Sequence, residues 1–421
     1  IDRLAKEGMK FTHHYSGSTV CAPTRCVLMT GYHTGHCYVR GNKEVKPEGQ
    51  HPMPPETVTL PELLKKAGYT TGAFGKWGLG APGSEGDPVK QGFDEFYGYN
   101  CQREAHTYYP NHLWHNTEKV QLDGKTYSHN LIMNQALDFI RNNQKGPFFC
   151  YLPITIPHAA MHSPEKYVAP FRKKFSEFED KVGKYRGPNT KNPVAAFAGM
   201  MTHVDEDVGR LLDLLQELQI DENTLVLFTS DNGPHVEGGH DPQFFNSNGP
   251  FRGFKRDLYE GGIRTVLLAR WPGKISPEST TDLMSAHWDI LPTCCELAGV
   301  MPPKSIDGYS MVPTLRGRPK DQKQHEFLYW EFHERGGKRA VRFGEWKAVQ
   351  LNLQKNADGP IELYQLDQDP GEKDNLMKVH AGLLFAVEEK ARKLFREAHT
   401  PSKVWPIRSL GEGEGNKAKT K

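Results

Sequence analysis

A chain of 421 residues is long enough for one large α/β domain and a smaller one, each able to bury most of the surface its unfolded chain exposes. Lysine and arginine total 53 against 51 acidic residues, so no global field exists to gather nucleic acid or coat an anionic membrane, and any anion specificity is local. No apolar run approaches the ~20 residues that span a bilayer, and seven irregularly spaced cysteines make no disulfide framework.

The chain starts without methionine and inside an amphipathic helical pattern over residues 1–8, so further sequence ahead of it, with any export signal, is expected. Thr59-Leu60-Pro61-Glu62 reads as a capping-box helix start, Gly68 as its stop, and residues 69–74 as the strand that follows. A second helix from about residue 128, with apolar positions through Ile140, leads into the apolar run 148–152. In the third unit, Val208, Leu211, Leu212, Leu215 and Leu218 stripe a long helix before residues 224–228, which read as a strand buried on both faces. Repetition of this unit predicts an α/β fold over 1–320, a large mixed, mainly parallel sheet between helices. Past residue 320, strands at 327–332, 340–349 and 361–366 and a helix over 379–398 predict a small α+β domain over 321–410; the polar, Gly-rich 411–421 reads as a frayed tail.

The most informative run is Cys21-Ala22-Pro23-Thr24-Arg25, continued by Cys26-Val27-Leu28-Met29-Thr30-Gly31. A residue at the mouth of a helix meets partly positive N–H groups that favour an anion, and an arginine one turn along adds fixed charge and forked donors. Cys21 in isolation also reads as a buried structural thiol. A zinc site of Cys21, Cys26, His33 and His36 is disfavoured, because six residues separate Cys26 from His33 against about twelve in a zinc finger. The run resembles the signature of the formylglycine-dependent sulfatases, members of the alkaline-phosphatase-like superfamily. That resemblance implies conversion of Cys21 to Cα-formylglycine, whose hydrate attacks sulfur with one hydroxyl and expels sulfate with the other. It also implies a role for Arg25 in holding the nucleophile's oxygen.

Distant segments carry the same resemblance in family order. Gly75-Lys76-Trp77-Gly78-Leu79-Gly80 follows a predicted strand, where open α/β sheets place ligand loops, and is similar to a family motif whose lysine, here Lys76, contacts sulfate. Gly78 departs from the family, in which most members carry a histidine proposed to help expel sulfate; either His36, His106 or a water takes that proton, or the elimination is slow. Ile156-Pro157-His158-Ala159 resembles the segment whose histidine contacts sulfate and protonates the departing alcohol. Ser230-Asp231-Asn232-Gly233 is ordinary turn chemistry by itself, yet it matches the family's calcium-binding pair, with Asp231 and Asn232 as oxygen ligands beside the modified Cys21. The stretch from Arg252 to Arg264 resembles a segment whose lysine, here Lys255, binds sulfate and supports the leaving group.

The resemblance implies Ca²⁺, with Mg²⁺ as an alternative. It also implies paired aspartates on a strand preceding residue 1, a transient formylglycine-generating partner and, by analogy, a periplasmic or extracellular place. Rings and polar tips at 103–115, His106 among them, suit a sulfated sugar, although an aromatic loop packing on the surface explains them equally. A phosphate or phosphonate ester hydrolase and a catalytically silent sulfoglycan-binding relative are the rival readings.

Overall fold

Residues 1–380 and 382–407 are described by the structure, a computed structural model; the tail expected at 411–421 lies outside the described residues. The first half of the chain forms helices α1 (Asp2–Lys6), α2 (Cys21–Thr30), α3 (Leu60–Lys66), α4 (Ser128–Asn143), α5 (Glu165–Lys174) and α6 (Pro193–Glu217). Its strands are β1 (Met9–Phe11), β2 (His14–Tyr15), β3 (Thr70–Lys76), β4 (Glu95–Tyr99), β5 (His112–His115), β6 (Glu118–Gln121), β7 (Phe148–Tyr151), β8 (Val182–Gly183) and β9 (Thr190–Lys191). Then come β10 (Val226–Thr229), α7 (Glu260–Ile263), β11 (Leu267–Arg270), β12 (Ser279–Thr281), β13 (Ser285–Ala286), α8 (Ile290–Ala298) and α9 (Val312–Leu315). Strands β14 (Leu328–Phe332), β15 (Lys338–Phe343), β16 (Trp346–Leu351) and β17 (Ile361–Gln365) follow, then helices α10 (Met377–His380) and α11 (Phe385–Glu397).

The expected capping box forms at α3, where Glu62 Oε2 accepts from Thr59 N at 2.8 Å, and Gly68 ends the unit at φ 82°. β3 runs two residues beyond the expected strand, so that Lys76 sits at its end. It pairs in parallel with β4 on one side and β7 on the other, in the order β6-β5-β4-β3-β7. β5 and β6 are antiparallel, because a hairpin rather than a helix joins them. A second sheet has the order β10-β11-β1-β12, with β11 antiparallel to both of its neighbours and β12 parallel to β1.

The expectation that the strand after α6 is buried on both faces is corrected. Among the described residues β10 is only partly buried along its length and pairs with β11 on one side. β7, paired with β3 on one side among the described residues, is also half-buried, and Phe148, Cys150 and Val226 pack on one cluster with Leu214 and Leu215 of α6. α6 thus spans both sheets.

Residues 340–349, expected as one strand, form two, β15 and β16, around a turn at Gly344, and β14 to β17 make an antiparallel meander. Alternation along β14 divides its faces. Leu328, Trp330 and Phe332 join the main core with Val27 and Trp288, whereas Tyr329 packs with Ala391, Leu394 and Phe395 of α11. The expected helix over 379–398 is α11 alone, with the short α10 ahead of it.

Candidate active site

Val20 caps α2 in an extended conformation (φ −148°), which delivers Cys21 as the first helical residue with its thiol almost wholly buried. Lys76, at the C-terminal end of β3, reaches across and donates from Nζ to Cys21 Sγ at 3.2 Å. Arg25 lies one turn along α2 from Cys21 and donates to the Lys76 carbonyl and to Asp231 Oδ2, the latter at 3.3 Å. Thr24 Oγ1 donates to the Asp231 carbonyl at 2.8 Å, pinning the loop after β10 onto the helix. Burial opposes the charge on Asp231, but Arg25, Lys76 and Lys255 outweigh it and hold the carboxyl below its ordinary value. Burial pulls the Lys76 ammonium below its ordinary value.

Asn232 Nδ2 donates to the Gly233 carbonyl at 2.9 Å, which leaves Oδ1, buried, without a protein partner among the described residues. A free carbonyl oxygen beside a carboxylate is a donor set of the type a hard cation takes. Asp231 and Asn232 fit such an ion.

The second half of the site comes from two loops. Lys255 Nζ lies 2.6 Å from His158 Nε2, while His158 Nδ1 faces the Ala159 carbonyl. A carbonyl only accepts, so Nδ1 carries the proton, and Nε2 accepts from the lysine. Burial, then Lys255 and Lys76, hold His158 well below the ordinary histidine value. His106 stacks flat on His158 with ring centroids 5.1 Å apart, and burial, Lys76 and Lys255 push it down to about 3. Segment 252–257 is held to the entrance of α2 by Arg256 N donating to Thr19 Oγ1 at 2.8 Å, and Lys255 N donates to the Pro234 carbonyl.

The structure therefore brings together Cys21, Arg25, Lys76, Asp231 and Lys255 through direct contacts and their mutual fields, with Lys255 linking in His158 and His106. Asn232 follows Asp231 in the same loop. His36 is elsewhere. It hydrogen-bonds Asp307 at 2.9 Å beyond the far end of the ten-residue α2, about 15 Å along the helix axis from Cys21. The zinc grouping also disperses, since His33 Nδ1 accepts from Gly35 N, and Cys26 and Cys37 adjoin each other in the core.

Of the rings at 103–115, most are structural. Tyr108 is fully buried and donates to the His158 carbonyl, while His112 and Trp114 are both tied to Glu48. Residues that no motif singled out complete the entrance. Tyr185, 39% exposed, stands edge-on to His106 and His158 at 5.1 and 6.0 Å, and Glu237 lies between Lys255 and Arg256. Tyr185 is in the β8–β9 hairpin, a segment without local signal, so only three-dimensional proximity identifies it.

Comparison with known proteins gives two family matches, Sulfatase over residues 1–300 and N-sulphoglucosamine sulphohydrolase, C-terminal, over residues 249–395. Human N-acetylgalactosamine-6-sulfatase is 30% identical over 419 residues, covering 89% of this chain and 75% of that protein. Human arylsulfatase A is 30% identical over 429 residues, covering 94% of this chain and 81% of that protein. Among solved structures, the crystal structure of Ps i-CgsB in complex with k-i-k-neocarrahexaose aligns with a TM-score of 0.79 at 26% identity, covering 98% of this chain and 89% of that one.

Proposed function

The chain belongs to the sulfatase family and is a sulfuric ester hydrolase, and from that premise we propose that it cleaves a sulfate monoester on a sulfated glycan at the Cys21 end of α2. The observation that carries this reading is the Lys76 ammonium 3.2 Å from Cys21 Sγ, with Arg25 joining Lys76 to Asp231. Sγ stands in for one hydroxyl of a hydrated formylglycine, the modification that would supply an oxygen nucleophile at residue 21. A divalent ion, Ca²⁺ or alternatively Mg²⁺, for which Asp231 and Asn232 would be ligands, would stabilise charge developing on sulfate oxygens.

The chain's own residues then divide the work. Lys76 and Arg25 neutralise the anion and orient it for in-line attack. Lys255 and His158 share one proton across 2.6 Å, and that proton goes to the alcohol oxygen as its bond to sulfur breaks. His106, stacked on His158, is the imidazole available for the later proton transfer that Gly78 does not serve. Tyr185, with an exposed ring edge-on to both histidines, is a platform for the apolar face of a sugar leaving group. Relatives that act on sulfated sugars by name support the glycan assignment.

A formylglycine-generating enzyme is the implied maturation partner, and a periplasmic or extracellular place follows by analogy; no described helix is long and apolar enough to cross a membrane. Full-length protein matured in its native host, assayed on matched aryl sulfate and aryl phosphate and on defined sulfated sugars, tests the reading. Sulfate turnover should dominate, and both Cys21→Ala and Asp231→Ala should lose it. Preference for phosphate supports the phosphatase alternative, and an unmodified Cys21 peptide by mass spectrometry supports the silent relative.

A further inference from the structure

Backbone pairing between β3 and β4 continues beyond both strands, with Trp77 N donating to the Tyr99 carbonyl at 2.9 Å and Gly78 N to the Asn100 carbonyl at 3.0 Å. Gly78 follows Lys76 by two residues, in the loop that leaves β3, and Lys76 donates to Cys21 Sγ. Gly78 has no side chain and a φ of 79°, in the left-handed region.

The space is filled from another segment. A Cβ on Gly78 would lie 2.4 Å from Gln102 Nε2 and 3.0 Å from its Cδ, so the Gln102 carboxamide rests against the face from which a side chain would project. Gln102 is only 5% exposed, and its Nε2 has no protein partner among the described residues. Its backbone is fixed, with Gln102 N donating to Gln50 Oε1 at 2.7 Å and Gln50 N to the Gly80 carbonyl at 2.9 Å. The same 42–50 segment reaches the entrance of α2, where Ala22 N donates to Asn42 Oδ1 at 3.0 Å. The Gln102 backbone is therefore tied through Gln50 to the loop after Lys76, and its carboxamide rests against Gly78 of that loop.

A buried amide donor without an acceptor is costly unless a ligand supplies one. On the sulfatase reading the ligand of this site is an anion with four oxygens, bound beside Lys76 and Cys21. We propose that Gln102 is a sulfate-binding residue, donating from Nε2 to a non-bridging sulfate oxygen from the position that a side chain at Gly78 would occupy. The assignment rests on the sulfatase reading above. It gives the sulfate subsite a neutral donor that does not titrate, alongside two cations.

Isothermal titration of inorganic sulfate into the full chain tests this independently of turnover. Gln102→Ala should weaken sulfate binding about tenfold, the loss of one hydrogen bond to a charged group, and Gln102→Glu should weaken it further by adding a like charge. Gly78→Ala gives the same result by a separate route, because its new Cβ displaces the carboxamide, and it covers the case in which a Gln102 variant fails to fold. Loss of affinity in variants that remain folded at the assay temperature supports the proposal, with Gly78→Ala expected to lower the thermal midpoint because of its φ of 79°. Sulfate affinity equal to wild type in Gln102→Ala and Gln102→Glu overturns it while leaving the sulfatase reading intact. A wild-type protein that neither binds sulfate nor hydrolyses aryl sulfates overturns both.

Discussion

His158 and Lys255 are 97 residues apart in sequence, yet their nitrogens lie 2.6 Å from each other, and the Ala159 carbonyl decides which of them brings the proton. With Nδ1 committed as a donor, His158 enters the reaction neutral and Lys255 enters as the cation. Because burial and the two lysines hold His158 well below the ordinary 6.5, acidification through pH 6.5 does not charge it. The kcat/KM of the free enzyme on an aryl sulfate should consequently show no acid limb with a midpoint near 6.5; such a limb, removed by His158→Gln, would mean that this imidazole titrates normally. Lys255→Ala removes both the proton and the charge that depresses His158. It should reduce kcat by about 10²- to 10⁴-fold and move any histidine-dependent limb upward in pH.

At the scale of elements, the site depends on how closely β3, β4 and the loop after β7 approach. A Cβ on Gly98 would meet the Gly75 carbonyl oxygen at 1.9 Å, and one on Gly75 would meet the Pro153 carbonyl oxygen at 2.2 Å; the φ values are 152° and 137°. These two glycines let three backbones touch directly beneath Lys76, whose own N–H bonds the Pro153 carbonyl at 2.9 Å. Gly98→Ala should therefore cost more than about 2 kcal/mol, as backbone strain and overpacking combine, and lower the denaturant midpoint together with activity. Gly83→Ala is the control. Its φ of 75° is also left-handed, but nothing lies within 4 Å of its Cβ, so its cost should stay near 1 kcal/mol.

For the molecule as a whole, the C-terminal meander is joined to the catalytic part by buried charge. Lys347 of β16 bonds Glu260 of α7 at 2.9 Å and lies 3.0 Å from Glu372, with all three side chains fully buried. Burial pushes Glu372 up to about 7 from an ordinary 4.5, and Glu260 opposes its ionisation further, while Lys347 favours it. A carboxyl with a raised folded-state pKa binds its proton in the folded chain after the unfolded chain has lost it. Stability from this group is thus greatest below pH 4.5, falls as pH rises to about 7, and is level above that. Glu372→Gln, which keeps the shape without the titration, should flatten the change in denaturant midpoint between pH 5 and pH 8. A slope unchanged from wild type would assign the pH dependence to other groups.

Local pattern was sufficient for a good part of this protein. The 3.6-residue stripe of α6, the capping box of α3 and the apolar run before His158 each report on one segment's own backbone and faces, and the motif blocks at 21–25, 75–80, 230–233 and 252–264 name the chemistry they bring. What no segment contains is its neighbours. Arg25 meets Asp231 across 206 residues, the Gln102 carboxamide fills the space at Gly78, Tyr185 arrives from a hairpin without a motif, and the rings of 103–115 divide between Glu48 and the site. Periodicity is set by bonds within a few residues, whereas proton ownership, cation placement and strand position depend on contacts that exist only once the chain has closed on itself.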